Sequence, residues 1–198
     1  MRDTIATTAR PLLERGSLTL DDWEALGELS PECELIDGEL REVSPTDITH
    51  ERVFVLLVRR LGQFVEDHAL GIVIGSRHGL RISTRRGIEP DLMWIPADQM
   101  HRLRGAVFRG VPRLVVEVLS RGSITRDRRE RPRDLATIGV PFYWIVDPQR
   151  RVIEEYALRE GEYALASRAQ GDVTWSSTAA EGFALPLGEL WLRVPSAE

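Results

Sequence analysis

The amino-acid sequence predicts one domain of the α/β or α+β class, in which helices flank a mixed β-sheet. Segments with β-strand patterns lie before, between and after two segments with helical periodicity. The segments 91–95, 112–122 and 140–148 are apolar and rich in β-branched or aromatic residues, which is typical of strands buried on both faces. Towards the C-terminus, short alternating segments predict an antiparallel meander.

The length and composition suit a single globular domain over residues 1–198. We place its core at 18–158 and further strands in 159–198. Hydrophobic residues make up 42% and charged residues 29%, as in water-soluble proteins. No apolar run approaches the roughly 18 residues of a membrane span, and the N-terminal segment lacks the apolar core of a signal peptide. We therefore expect a cytoplasmic protein that has no contact with a membrane. The single Cys33 excludes an internal disulfide and fits a reducing compartment.

The first half of the chain predicts a helix, a hairpin and a second, longer helix. Residues 19–29 have a helix-capping sequence followed by apolar residues at helical spacing. Asp37-Gly38 predicts a tight hairpin turn between strands near 33–36 and 39–43. The longest helix is predicted from Asp47 to about His68, with Gly71 as its stop signal.

The remaining elements follow from shorter patterns. Strands are predicted near 72–75 and 79–83, and 97–110 reads as a loop with a helical turn. After residue 122 a loop enters a helix that ends at Gly139. The segments 151–158, 162–167 and 172–177 form the predicted meander, and the chain finishes in a short apolar segment at 185–191.

Glu117 interrupts the apolar strand "PRLVVEVLSRG" and therefore needs a counter-charge or hydrogen-bond donors. An unpaired buried carboxylate costs several kcal/mol, on the order of the desolvation penalty of one ion. Asp91 lies at the start of a second apolar strand, directly after Pro90. Two acids at the ends of neighbouring strands, with the backbone carbonyl of Val118 as a third ligand, suit a hard divalent cation. That arrangement suits metal-assisted hydrolysis of a phosphodiester.

Each of these acids also has an ordinary interpretation. An aspartate after proline is commonly a turn former, and a glutamate in a strand commonly faces solvent or pairs with an arginine. The apolar flanks of Glu117 disfavour the solvent-facing alternative. A further alternative is that a buried arginine neutralises Glu117 and that no metal binds.

Four motifs, in this order and spacing, resemble the Uma-two family of endonucleases. They are "ELIDGEL…SPTDITHERV", "EPDLMWI", "PRLVVEVLSRG" and "GVPFYWIVDP", and the resemblance covers about Leu18 to Leu158. The family belongs to the PD-(D/E)XK superfamily, so the resemblance implies a restriction-endonuclease-like fold. It implies that Asp91 and Glu117 hold Mg²⁺ or Mn²⁺. It also implies roles near the site for Glu39 and His50, although a hydrogen-bonded helix histidine is an equally ordinary interpretation of His50.

The sequence departs from the family at the position of its catalytic lysine. The superfamily lysine two residues after the glutamate is Leu119 here, and the family's lysine four residues after a helical aspartate is Arg131, counted from Asp127. An arginine cannot act as a general base, but it can bind phosphate and offset its charge. Because Pro132 follows, we expect Arg131 to be pushed away from helical geometry. All 26 basic residues of the chain are arginine, which makes this substitution less diagnostic of lost activity.

The arginines around this position have two interpretations. They either bind the phosphates of a nucleic acid beside the metal, or form a solvated helix face paired with Asp127, Glu130 and Asp134. The arginines in question are Arg126, Arg128, Arg129 and Arg133. The net charge of −5 argues against a protein that coats nucleic acid but leaves room for a local basic site.

The leading hypothesis is a divalent-metal-dependent endonuclease that acts on DNA, and analogy with the fold favours a homodimer. The rival is a nuclease-fold module that has lost catalysis and binds nucleic acid or a protein partner. Three tryptophans in strand patterns are expected in the core rather than as base-stacking platforms. They are Trp94, Trp144 and Trp175.

Overall fold

A computed structural model describes residues 17–26, 33–43, 45–75 and 78–191, and it confirms the mixed α/β class. Its helices are α1 (Leu20–Leu26), α2 (Ile48–Asp67) and α3 (Arg131–Ile138), with a π-helical turn at Arg126–Glu130 and 3₁₀ turns at Ala97–Arg102 and Leu187–Glu189. Its strands are β1 (Cys33–Ile36), β2 (Glu39–Glu42), β3 (Gly71–Gly75), β4 (Gly79–Ser83), β5 (Arg86–Ile88), β6 (Leu92–Pro96), β7 (Val107–Phe108), β8 (Leu114–Val118), β9 (Phe142–Asp147), β10 (Val152–Arg159), β11 (Glu162–Gln170), β12 (Thr174–Ser176) and β13 (Ala184–Pro186).

The strands form two larger sheets and a small ribbon. A six-stranded sheet has the order β11-β10-β9-β8-β6-β3, and a five-stranded sheet has the order β2-β1-β5-β4-β7. Both are mixed, because β8 pairs parallel with β9 and β4 pairs parallel with β7, while the other pairs are antiparallel. The site strand β8 is thus central in its sheet, between β6 and β9.

All five residues of β8 are buried, as the apolar pattern predicts. Val116 joins a core cluster with α2, and Val115 joins a second cluster on the opposite face with Leu135 of α3. Since side chains alternate along a strand, Glu117 shares the face of Val115. Its carboxylate is therefore directed to the side of the sheet on which α3 packs. The three tryptophans lie in the core as expected, each at most 4% exposed.

The N-terminal elements form as predicted within the described residues. The backbone N–H of Thr19 donates to Asp22 Oδ2 at 2.9 Å, which caps α1; residues 27–29 of the predicted helix lie outside the described residues. The hairpin of β1 and β2 turns at Asp37 and Gly38, both with positive φ (54° and 89°), as a two-residue turn of this kind requires.

The long helix begins and ends close to where it is predicted, but Gly71 is not the residue that stops it. Asp47 caps α2 by accepting hydrogen bonds from the N–H groups of Thr49 and His50. The helix ends at Asp67, where Ala69 takes the left-handed conformation (φ 52°) and Leu70 N–H donates to Val65 O at 2.9 Å. Gly71 instead begins β3, where a Cβ would lie 2.0 Å from the Ile95 carbonyl oxygen.

The C-terminal meander is shorter than predicted. β10 and β11 pair as expected, but the segment 172–177 forms β12, which pairs with β13 in a separate ribbon. The reason is the side-chain packing of Trp175, which lies edge-on against Trp144 at 4.8 Å between ring centroids. Buried Glu155 also accepts hydrogen bonds from Trp144 Nε1 and Thr178 N, which fixes this segment across the sheet. Among the described residues, none of the helices has both the length and the apolar character that a membrane span requires.

Candidate active site

A cavity of about 40 Å³ lies where the start of β6, the end of β8 and the first turn of α2 meet. This volume exceeds the space that one ordered water needs, roughly 10–15 Å³. Several of the lining groups are polar or charged. The lining residues are Val43, Thr46, His50, Glu89, Asp91, Val118, Ser120, Ser123 and Arg126.

The structure brings Asp91 and Glu117 together beside this cavity. The antiparallel pairing of β6 with β8 sets Leu92 opposite Val116, so the residues flanking this pair are neighbours. The backbone N–H of Asp91 lies 3.4 Å from Glu117 Oε2, and the N–H of Val118 donates to Asp91 Oδ2 at 2.7 Å. The two acids predicted to converge are thus adjacent, although only Asp91 lines the cavity.

His50 also reaches the site from the first turn of α2. Its Nε2 lies 3.1 Å from Asp91 Oδ2, and the residue is 5% exposed. Burial acts to lower the pKa of His50, but the hydrogen bond and charge of Asp91, together with Glu51, outweigh it and raise the pKa above its ordinary value. The histidine therefore has a stronger tendency to carry a proton than a free imidazole.

The counter-charge of Glu117 in this structure is Arg131. Arg131 Nε lies 2.6 Å from Glu117 Oε1, and Arg131 Nη2 donates to Glu34 Oε1 at 2.6 Å, with all three side chains at most 1% exposed. A buried arginine therefore contacts Glu117, as one alternative supposed, while the other part of that alternative, that no metal binds, stays a prediction. Arg131 is not among the residues that line the cavity, and a direct role for it in offsetting phosphate charge stays a prediction.

Burial and neighbouring charges shift the pKa values of the two carboxyls that contact Arg131, Glu34 and Glu117, in opposite directions. Burial acts to raise the pKa of Glu34, but the charges of Arg131 and Arg126 lower it below its ordinary value. Burial raises the pKa of Glu117 well above its ordinary value, and the nearby charges of Asp127 and Asp91 add to this despite Arg131. Arg131 thus contacts two buried carboxyls whose pKa values are shifted in opposite directions.

Arg131 keeps helical geometry, contrary to the expectation from Pro132. Its φ of −55° and ψ of −48° are α-helical, and its N–H donates to Arg126 O, five residues back. A proline inside a regular α-helix clashes with the carbonyl four residues earlier, and a wider π-turn relieves such crowding. The π-turn therefore lets the chain enter α3 with Arg131 directed at β8.

The π-turn also supplies the arginine that does line the cavity. Arg126 Nε donates to Asp127 Oδ1 at 2.8 Å, and the Arg126 side chain is 20% exposed while that of Asp127 is fully buried. Burial raises the pKa of Asp127, although the charges of Arg126 and Arg131 oppose it. Arg126 is thus held by a buried acid at the edge of the cavity.

The other predicted arginines are divided between ion pairs and solvent. Arg128 Nη1 lies 2.7 Å from Glu154 Oε2 on β10, whereas Arg129 and Arg133 are exposed. The acids of this helix pair with other elements, namely Glu130 with Arg41 and Asp134 with Arg86. The helix face is therefore largely an ion-paired surface.

Glu39 is another predicted site residue that does not line the cavity. It is exposed on β2, at the outer edge of the five-stranded sheet. The hairpin acid that reaches the site is Glu34 on the neighbouring strand. Its signal was present in the sequence, because Glu34 interrupts an apolar strand, "CELI", just as Glu117 does.

The oxygen ligands near the cavity are few, so they suit a cation that keeps water at several of its coordination positions rather than one surrounded by protein side chains. No cluster of three or more His, Cys, Asp or Glu side chains with metal-binding geometry occurs among the described residues. Within the same residues, the contacts of the Asp91 carboxylate all use Oδ2, which leaves Oδ1 for a ligand. A hard divalent cation binds carboxylate and carbonyl oxygens and keeps water at its open positions, and Asp91 Oδ1 is an oxygen of this kind.

The fold is of a nuclease-like class, and it carries two acids at the ends of adjacent strands. The structure is similar to the crystal structure of "a putative nuclease belonging to DUF820" from Anabaena variabilis ATCC 29413, with a TM-score of 0.72 and 17% sequence identity, covering 88% of this chain and 97% of that one. Residues 20–188 match the family model "Uma2: Putative restriction endonuclease". The chain belongs to this family, which confirms the resemblance of its motifs. No curated protein matches the chain.

Proposed function

We propose that this protein is a divalent-metal-dependent nuclease that hydrolyses phosphodiester bonds in DNA. The observation that carries the proposal is the convergence of Asp91 and Glu117 beside a polar cavity, with Asp91 Oδ1 open to a ligand. Membership of the Uma2 family supports a nucleic acid as substrate. Cytoplasmic location and a homodimer stay predictions.

Asp91 and Glu117 are the proposed holders of Mg²⁺ or Mn²⁺, with the Val118 carbonyl as a further ligand. When bound, such an ion polarises the phosphate and lowers the pKa of a water molecule. His50 holds a proton beside Asp91, close enough to orient a water or to protonate an oxygen. Arg126 binds a phosphate oxygen at the cavity edge. Arg131 is a positioning residue, because it contacts the Glu117 carboxylate without lining the cavity.

The test combines metal binding with cleavage. With Mn²⁺ at about a hundredfold over Kd, linkage predicts about 2.7 kcal/mol of stabilisation, which raises Tm by roughly 5 °C or more. Plasmid and oligonucleotide DNA are then incubated with the protein in Mg²⁺, Mn²⁺ or EDTA, beside a mock preparation that lacks the protein. We expect cleavage only with metal and protein together. An unchanged Tm in Mn²⁺, with no cleavage above the mock preparation, would exclude the proposal.

A second candidate is a nuclease-fold module without catalysis, and the pairing of Arg131 with Glu117 is the observation that favours it. An Arg131→Lys variant separates the two functions, because it restores the residue type that the family places there. For a working nuclease we expect cleavage by the wild type and a change of less than about tenfold in the variant, since Arg131 does not line the cavity. Cleavage that appears only in the variant identifies the native protein as a module that has lost catalysis.

A further inference from the structure

The strand β3 forms one edge of the six-stranded sheet. It pairs with β6 in an unbroken antiparallel register, from Gly71 opposite Pro96 to Gly75 opposite Leu92. Among the described residues no strand pairs with its other side, because β3 ends the strand order of this sheet. Each of its residues is half-buried, whereas four of the five residues of β6 are buried. The outer side of β3 is therefore available to another chain.

The register identifies the backbone groups of β3 that point outward. Antiparallel strands exchange hydrogen bonds through every second residue. Just before β3, the N–H of Ala97 donates to Leu70 O at 3.1 Å, so position 70 faces the chain of β6. Counted in twos from Leu70, Ile72 and Ile74 face β6 as well. The residues whose N–H and C=O groups point away from the sheet are therefore Gly71, Val73 and Gly75.

The other three edges of the two larger sheets, as far as the chain is described, have features that hinder pairing. Charged residues, very short strands and bulges protect sheet edges from other chains. In β2 (ELRE) three of the four residues are charged, and β7 has only two residues. β11 carries Glu162 and Arg168, and its pairing with β10 has a register shift. β3 (GIVIG) is uncharged, apolar and regular.

We propose that β3 pairs antiparallel with β3 of a second copy of this chain, so that two six-stranded sheets become one continuous sheet. The strand is self-complementary about Val73. When Val73 stands opposite its counterpart, Gly71 stands opposite Gly75, and every outward N–H and C=O group of the strand meets a partner. Ile72 and Ile74 then stand opposite each other on the second face of the sheet, where both are only partly buried in one copy.

The flank of α2 beside this edge is also self-complementary. The helix packs on β3 at Gly62, where a Cβ would lie 3.9 Å from Val73 Cβ. At about 100° per residue, the positions that follow Gly62 around the helix, away from the core, are Val55, Glu66 and Arg59. Arg59 lies about 4.5 Å before Gly62 along the helix axis, and Glu66 lies about 6 Å after it. A twofold axis beside Val73 therefore brings Arg59 of one copy to the level of Glu66 of the other.

The exposure of these three residues fits such an interface. Arg59 and Glu66 are exposed, and neither has an ion-pair partner among the described residues. Val55 is 56% exposed between them and the start of the helix. In the proposed dimer, two symmetric pairs of Arg59 with Glu66 form and Val55 is covered. Opposite charges at matching positions favour a second copy over an unrelated chain as the partner of β3.

The test measures the mass of the full-length protein by light scattering during size-exclusion chromatography, at about 1 to 100 μM. We expect a dimer. Arg59→Glu and Glu66→Arg each set like charges opposite one another twice, so each should weaken dimerisation by about tenfold or more. The variant with both changes restores opposite charges and should lie within about threefold of the wild type. The matched control is Arg159→Glu at the end of β10, far from β3 in the strand order, which should dimerise like the wild type.

Val73→Pro tests the backbone pairing itself. Proline removes the outward N–H of residue 73 but no hydrogen bond to β6, and an edge strand tolerates it, so we expect a folded monomer. Circular dichroism reports whether the variant folds, and if it does not, the charge-exchange variants decide.

The inference is wrong if the wild type is a monomer at about 100 μM. It is also wrong if a dimer persists in folded Val73→Pro, if Arg59→Glu does not weaken the dimer, or if the double variant dimerises no better than the single ones. Metal-dependent cleavage of DNA is measured on the same preparations. Its loss would count against the nuclease function alone, because pairing of β3 does not depend on the cavity.

Discussion

Asp91→Asn is expected to lose metal-dependent cleavage by about a thousandfold or more while keeping the fold. Loss of a cation that supplies several kcal/mol of transition-state stabilisation corresponds to at least this factor. The amide oxygen of asparagine can still accept the hydrogen bond from Val118 N–H, which Asp91 Oδ2 accepts at 2.7 Å. The substitution also removes a negative charge beside Glu117, so it relieves repulsion there.

The matched comparison for this variant is Glu117→Gln, which removes the other proposed ligand. That change also breaks the buried pair with Arg131, so its loss of activity is mixed with a loss of stability. Rates of oligonucleotide cleavage and Tm are measured for both variants and for Glu39→Gln, whose exposed acid lies on β2. We expect Glu39→Gln to match the wild type. Full activity in Asp91→Asn would show that Asp91 holds no catalytic cation.

The buried strands, and the acid within one of them, could be predicted because burial on both faces leaves a local pattern of apolar residues in the sequence. A strand covered on both faces must be apolar throughout, so an acid such as Glu117 within it stands out and requires a partner. The turn at Asp37-Gly38 and the cap at Asp47 are likewise local, and both form as predicted. The position of Asp91 followed from the family motif and from its place at the start of β6.

The partner of Glu117 could not be predicted, because it depends on how distant segments pack. Glu34 and Arg131 are 97 residues apart in the chain, and their contact exists only when the hairpin of the five-stranded sheet packs against α3. The π-turn that directs Arg131 inward has no pattern of its own beyond Pro132. The resemblance placed Arg131 next to the chemistry, and the structure adds that its side chain is enclosed by protein rather than facing the cavity.

Arg131→Met is expected to reduce the free energy of unfolding by about 3–5 kcal/mol, the range found when one partner of a buried ion pair is removed. Glu34 and Glu117 would then share a buried site without the guanidinium that contacts both. The deficit should grow as pH rises. In the wild type the pKa of Glu34 is lowered from 4.5, so its contribution is present above that value and is lost as pH falls. Without Arg131 burial raises the pKa of both carboxyls, and the variant is least destabilised where they are protonated.

Urea unfolding followed by tryptophan fluorescence, between about pH 5 and 8, measures this effect. The control combines Arg131→Met with Glu34→Gln and Glu117→Leu. This triple variant removes both buried acids together with the arginine that pairs with them. Glutamine at position 34 can still accept the hydrogen bond from Glu89 N–H, which Glu34 Oε1 accepts at 3.0 Å. Because replacing a whole buried ion cluster is commonly neutral or stabilising, we expect this variant to lie within about 2 kcal/mol of the wild type. If Arg131→Met alone costs less than about 1 kcal/mol at neutral pH, then Arg131 is not the counter-charge that allows Glu117 to be buried.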